Sequence, residues 1–116
     1  MFIRFVVSVA IFLSNFVLTT SWAEERTNRA LVVAVSDYPH LPKRYSLKGP
    51  ENDARLLVET LEALDEPAKF KPEDIVVLAD KVPGAPVPTL SAILGALDVL
   101  ARDSRDGDFV YIHFSG

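Results

Sequence analysis

The pattern of apolar and polar positions along the chain predicts three strands separated by two helices. The strands are the runs 29–36, 74–79 and 108–114, and each contains at least four consecutive apolar residues. Apolar side chains on both faces of a strand are typical of a central strand in a parallel sheet that helices cover. The order strand, helix, strand, helix, strand therefore predicts an α/β unit with right-handed crossovers.

The two helices are indicated by apolar residues at intervals of three and four, which fall on one face of a helix. In the first helix these residues are Ala54, Leu57, Val58, Leu61 and Leu64. In the second helix they are Leu90, Ile93, Leu94, Leu97 and Leu100. Pro50 suits the first turn of a helix, Thr89 is a candidate N-cap, and the second helix is expected to end near Arg102.

The first 23 residues have the pattern of a secretory signal peptide. A basic residue, Arg4, precedes an apolar run at 5–18, and the small residues Ser21 and Ala23 follow. Cleavage after Ala23 predicts a secreted or periplasmic protein with no stable membrane association. The alternative is a retained membrane anchor, although the apolar run is shorter than the roughly 20 residues that span a bilayer.

Charge and cysteine content narrow the classes of partner and of chemistry. The net charge is −4 and becomes −5 when Arg4 leaves with the leader, so no nucleic-acid partner is expected. The chain has no cysteine, which excludes a thiol nucleophile or a thiolate metal site within it.

Candidate cofactor and metal sites are weak in this sequence. A phosphate-binding turn needs glycines after the first strand, but 37–42 contains two prolines and bulky side chains. The two histidines, His40 and His113, have no ligand partners at metal-binding spacing. We therefore predict no cofactor and no metal site, with His40 in a surface loop and His113 packed within its strand.

Several segments in order resemble one protein family. They are the first strand through Tyr38, the segment 47–54 with its Gly-x-x-Asn-Asp-Ala pattern, the strand at 74–78, the Pro-Thr helix start and the final segment 107–116. Together they resemble the N-terminal part of a caspase-like cysteine peptidase domain (peptidase C14) of metacaspase type. The resemblance covers 24–116 and implies an incomplete caspase-like three-layer unit with a parallel sheet.

The resemblance implies where the catalytic residues lie. In that family the last motif reads Ser-Gly-His-Gly, and Ser115 and Gly116 match its first two positions. The general-base histidine and the cysteine nucleophile are expected beyond Gly116. No catalytic residue is therefore expected within the chain, and His113 matches a non-catalytic position.

The resemblance also implies a substrate-binding residue, Asp53. The matching aspartate in metacaspase-type relatives helps line the pocket for a basic residue before the cut bond. Leu47 stands where caspases proper have an arginine that binds an acidic side chain, and Pro50 stands where many metacaspases have a cysteine. The alternative interpretation of Asp53 is a first-turn carboxylate that faces solvent.

Three functions follow as hypotheses. The first is an exported cysteine endopeptidase that cuts peptides or proteins after Arg or Lys, of which this chain is the N-terminal portion. The second is a non-catalytic caspase-like interaction module, and the third is an exported flavodoxin-like binding domain. A His-Gly after Gly116 and a later cysteine would favour the enzyme.

Overall fold

A computed structural model describes residues 25–116, and the predicted leader with its cleavage site lies outside the described residues. The elements are β1 (Asn28–Ala34), α1 (Gly49–Ala63), β2 (Ile75–Ala79), α2 (Leu90–Asp103) and β3 (Phe109–Ser115), with short 3₁₀ turns at Lys43–Tyr45 and Pro72–Asp74. This order confirms the predicted α/β alternation. No helix of the described part is long and apolar enough to cross a membrane.

The three strands form one parallel sheet in the order β2-β1-β3. In the shared register, Val32 of β1 lies between Val77 of β2 and His113 of β3. Residues 30–34 of β1 are at most 1% exposed. The continuous apolar run in β1 is explained by this central place, because both faces and both edges of the strand are covered.

The two helices pack on opposite faces of the sheet. On one face Ala54 of α1 packs against Val32 and Ala34. On the other face Leu100 of α2 packs against Leu31 and Val33. Successive side chains of β1 point to opposite faces, so one strand supplies the centre of both apolar layers and positions both helices.

Helix α2 begins as predicted, and Ile93, Leu97 and Leu100 of its predicted apolar face pack on the sheet. The Thr89 hydroxyl accepts a hydrogen bond from the Ala92 amide at 3.1 Å, which confirms the N-cap. Leu90 and Leu94 were expected to face the sheet, yet they are 74% and 54% exposed. The packed residues are Ala92, Ile93, Ala96, Leu97 and Leu100. Because α2 lies over β1 and β2, no described element covers Leu90 and Leu94.

In the described part of the chain, β1 lies at the centre of the sheet and β2 and β3 lie at its edges. On β3, Ile112 and Phe114 are 45% and 58% exposed. An apolar run indicates how hydrophobic a strand is and not how many strands lie beside it.

Candidate functional site

The carboxyl ends of the three strands meet at one edge of the sheet, because the strands are parallel. Helix α1 follows β1 and therefore starts at this same edge. In open α/β sheets ligands bind outside the carboxyl ends of the strands. The polar residues that follow β1, β2 and β3 and those in the first turns of α1 define the candidate site.

Asp53 and Ser115 meet at this edge although 62 residues separate them along the chain. The Ser115 hydroxyl donates a hydrogen bond to Oδ2 of Asp53 at 3.0 Å. Asp53 is exposed, and Oδ1 has no hydrogen-bond partner in 25–116 that would compete with a ligand. The structure thus places the carboxylate of Asp53, the predicted substrate-binding residue, in contact with Ser115, the first residue of the Ser-Gly motif.

A second aspartate, Asp80, organises the turn after β1. Its carboxylate accepts hydrogen bonds from the Ser36 amide at 2.9 and 3.0 Å and from the Asp37 amide at 2.6 Å. Charge-assisted bonds of this kind are stronger than neutral ones. Asp80 was not identified from the sequence, where its one local signal is a carboxylate directly after a strand.

Asp37 carries a persistent negative charge at the rim of the site. A hydrogen bond from the Ser46 hydroxyl at 2.9 Å holds the pKa of Asp37 below its usual value, and Lys81 at 3.2 Å lowers it further. Asp37 is about half exposed. Solvent therefore screens these contacts, and the ion pair alone adds little stability.

Gly116 fits tightly against the end of β1. A Cβ at this position would lie 3.0 Å from the Tyr38 hydroxyl oxygen and 3.3 Å from the Val35 carbonyl oxygen. The Val35 amide also donates to the Ser115 carbonyl at 2.9 Å. The Ser-Gly pair is thus held against β1, which fixes the direction in which β3 ends.

The two histidines lie apart from these contacts. His40 is exposed in the loop after β1, as predicted. The His113 ring stacks on Tyr111 with ring centroids 6.4 Å apart and an interplanar angle of 8°. His113 is only partly buried, so the prediction that it is packed holds only in part. Within residues 25–116, no group of three or more potential ligand side chains could hold a metal ion.

The opposite, amino edge of the sheet carries a structural charge cluster. Arg29 lies 3.6 Å from Asp74 and 3.7 Å from Asp108. Amide hydrogen bonds from Thr27 and then from Arg105 hold the pKa of Asp108 below its usual value. These contacts tie the starts of the three strands together, far from the carboxyl edge.

Comparison with known proteins places this geometry in a family. Residues 27–116 match the family model of the caspase domain. The chain is 29% identical over 89 residues to Metacaspase-1B of Aspergillus terreus and 34% identical over 90 residues to Metacaspase-1 of Lodderomyces elongisporus. Each match covers 76% of this chain but only 22% and 18% of the relatives, so the chain spans about a fifth of their length. The family match extends over both helices and all three strands, and the chain belongs to the caspase domain family.

Proposed function

We propose that the protein containing this chain is an exported cysteine endopeptidase of metacaspase type that cuts peptides or proteins after arginine or lysine. The observation that carries the proposal is the exposed Asp53 carboxylate, hydrogen-bonded to Ser115 at the carboxyl edge. Membership of the caspase domain family supports a peptidase. The leader pattern in the first 23 residues supports export.

The preference for a basic side chain follows from the chemistry of Asp53. The Ser115 hydroxyl holds Oδ2, which leaves Oδ1 and the remaining lone pairs free for a guanidinium or ammonium group. Such a pair is charge-assisted, and arginine can form two parallel hydrogen bonds to one carboxylate. An acidic substrate side chain would be repelled at the same place. Leu47, in the segment before α1, offers it no compensating positive charge.

The catalytic pair is proposed to be a histidine directly after Ser115-Gly116 and a cysteine further along. The thiolate attacks the carbonyl carbon of the cut bond, and the histidine gives its proton to the departing amine, which leaves a thioester. Water then attacks the thioester while the histidine takes a proton, and the thiol is released. Because Ser115 contacts Asp53, a histidine two positions later would lie close to a bound basic residue.

The direct test uses the full-length protein and a set of short peptides that differ only in the residue before the cut bond. Asp53→Asn keeps the shape and removes the charge, so kcat/KM for the arginine and lysine peptides is expected to fall about 10- to 100-fold. Asp98→Asn is the matched control, since Asp98 is exposed on α2. Equal rates for wild type and Asp53→Asn, or a preference for aspartate peptides, would contradict the proposal.

A second experiment separates the enzyme from the non-catalytic alternative. The 116-residue chain alone is expected to hydrolyse no arginine or lysine peptide, because it contains no cysteine. Inhibitor-sensitive turnover by that chain would refute the placement of the catalytic pair. If the full-length protein binds basic peptides without cutting them, the caspase-like interaction module is the better description.

A further inference from the structure

Two sets of contacts join the same three segments at the carboxyl edge of the sheet. The segments are the end of β2, the turn after β1 and the stretch just before α1. One set, the inner tie, runs through Asp80, Ser36 and Leu47. The other, the outer tie, runs through Lys81 and Asp37 to Ser46.

The inner tie consists of two hydrogen bonds that the backbone amide and carbonyl of the buried Ser36 form. Ser36 is fully buried, its amide donates to the Asp80 carboxylate at 2.9 Å, and its carbonyl accepts from the Leu47 amide at 2.8 Å. A buried backbone group without a partner is costly. Loss of the Asp80 carboxylate would therefore release the Ser36 amide and loosen the residue on which Leu47 is anchored.

The outer tie repeats this connection on the solvent side. Lys81 Nζ lies 3.2 Å from Oδ1 of Asp37, and the Ser46 hydroxyl donates to the same oxygen at 2.9 Å. The Asp37 amide also donates to Asp80 at 2.6 Å. Asp80 is thus the one side chain in 25–116 that holds both Ser36 and Asp37, while the exposed outer tie is the weaker of the two.

Both ties act on the start of the helix that carries Asp53. Leu47 lies two residues before α1, and Asp53 lies one turn into it. A hydrogen bond weakens steeply when its length or angle departs from the optimum, so a small shift of α1 would misplace Asp53 relative to Ser115 and to a bound cation. We propose that Asp80 is a positioning residue that holds the Asp53 carboxylate in place for a basic side chain, an inference that rests on the proposed function of Asp53.

The experiment measures binding and does not require catalysis. The full-length protein is titrated with a short peptide that ends in arginine and with the same peptide ending in citrulline, which is neutral and nearly the same shape. The ratio of the two dissociation constants measures how much the contact between Asp53 and the positive charge of arginine contributes to binding. Asp80→Asn is expected to lower this preference for arginine about three- to tenfold, while the control Asp98→Asn leaves it unchanged.

A double-mutant comparison distinguishes positioning from general destabilisation. If Asp80 acts through Asp53, Asp80→Asn should change the arginine preference less than twofold once Asp53→Asn is present. Asp37→Ala removes the outer tie and leaves the Asp80 contacts to the Ser36 and Asp37 amides in place. It should have a smaller effect in the wild-type background, and it covers the case in which Asp80→Asn fails to fold. Equal weakening of both peptides by Asp80→Asn, or additive effects with Asp53→Asn, would overturn the proposal.

The same titrations separate this inference from the proposed function. Arginine preference that depends on Asp80 supports the inference even if the full-length protein hydrolyses no peptide, and in that case only the proposed peptidase activity fails. If the wild-type protein does not distinguish arginine from citrulline, the inference is overturned even when hydrolysis is observed.

Discussion

Replacement of Asn28 by alanine should destabilise the protein substantially, because this buried side chain closes three hydrogen bonds. Asn28 is 6% exposed, and its amide nitrogen donates to the carbonyls of Pro67 and Lys69 at 2.8 Å each. Its amide oxygen accepts from Arg26 at 2.9 Å. Alanine leaves the two carbonyls without their donor, and each loss costs about 1 kcal/mol or more, so the free energy of unfolding should fall by about 2–3 kcal/mol.

The assay is urea unfolding of Asn28→Ala and of a control, Asn52→Ala. Asn52 is exposed on α1 and makes only a 3.5 Å contact to the Lys48 carbonyl. Alanine is the better helix former, so the control should be neutral or stabilised by about 0.5 kcal/mol. A loss at Asn28 no larger than that of the control would refute the assigned role of its two donated hydrogen bonds.

Asn28→Asp provides a pH signature for the same contacts. The ionised carboxylate would face the carbonyls of Pro67 and Lys69 with no proton to donate, so the folded state should raise the pKa of the new carboxyl group. The protonated form is then favoured by folding. The destabilisation relative to wild type should therefore be smallest below the usual carboxyl pKa and grow as the pH rises from there through the raised pKa of the folded state. A penalty that does not vary with pH would contradict this reasoning.

Three further predictions concern other positions and use the urea midpoint as the measurement. Gly107 has φ of +90°, so Gly107→Ala should lower the free energy of unfolding by about 1 kcal/mol or more. Gly95→Ala inside α2 should instead raise it by up to about 1 kcal/mol, because a Cβ there meets nothing within 4 Å. The opposite sign at either position would refute the reasoning. The buried Ser36 hydroxyl has no hydrogen-bond partner in the described part of the chain, so Ser36→Ala should not destabilise, and a loss above about 1 kcal/mol would show a missed contact. The pKa of Asp108 is lowered in the folded state, so its ionised form stabilises the fold above the usual carboxyl pKa and this stabilisation is lost on acidification. Asp108→Asn should therefore reduce stability at pH 7 and weaken the dependence of stability on acid pH. An unchanged dependence on acid pH would contradict the role of the Thr27 amide.

The sequence predicted the elements because their signals are local. The apolar run in β1, the cap at Thr89 and the apolar spacing in α1 each depend on residues within a few positions of one another. The neighbours of a strand are not local in this sense. The exposure of Phe114 and Leu94 depends on which elements lie beside β3 and α2, and the composition of either segment carries no information about that.

Only those residues of the candidate site that match a family motif could be predicted from the sequence. Asp53, Ser115 and Gly116 were identified from the resemblance, and the structure brings Asp53 and Ser115 to 3.0 Å. Asp80 was missed, because a side chain that accepts hydrogen bonds from backbone amides more than 40 positions earlier has no sequence signature. Backbone amides are present at almost every residue, so only the folded geometry shows which of them a carboxylate reaches.

The two interpretations of Asp53 are not exclusive in the structure. Asp53 is exposed near the start of α1, as the solvent-facing interpretation requires. It also accepts a hydrogen bond from the Ser115 hydroxyl at the end of β3, which is compatible with a place in a pocket at that edge of the sheet. The single hydrogen bond from Ser115 holds Oδ2 and leaves Oδ1 without a partner among residues 25–116. A fully buried carboxylate would need further partners before a substrate arrived. For the proposed binding of a basic side chain, an exposed carboxylate held by one hydrogen bond has the advantage that Oδ1 is open to that contact before the substrate arrives.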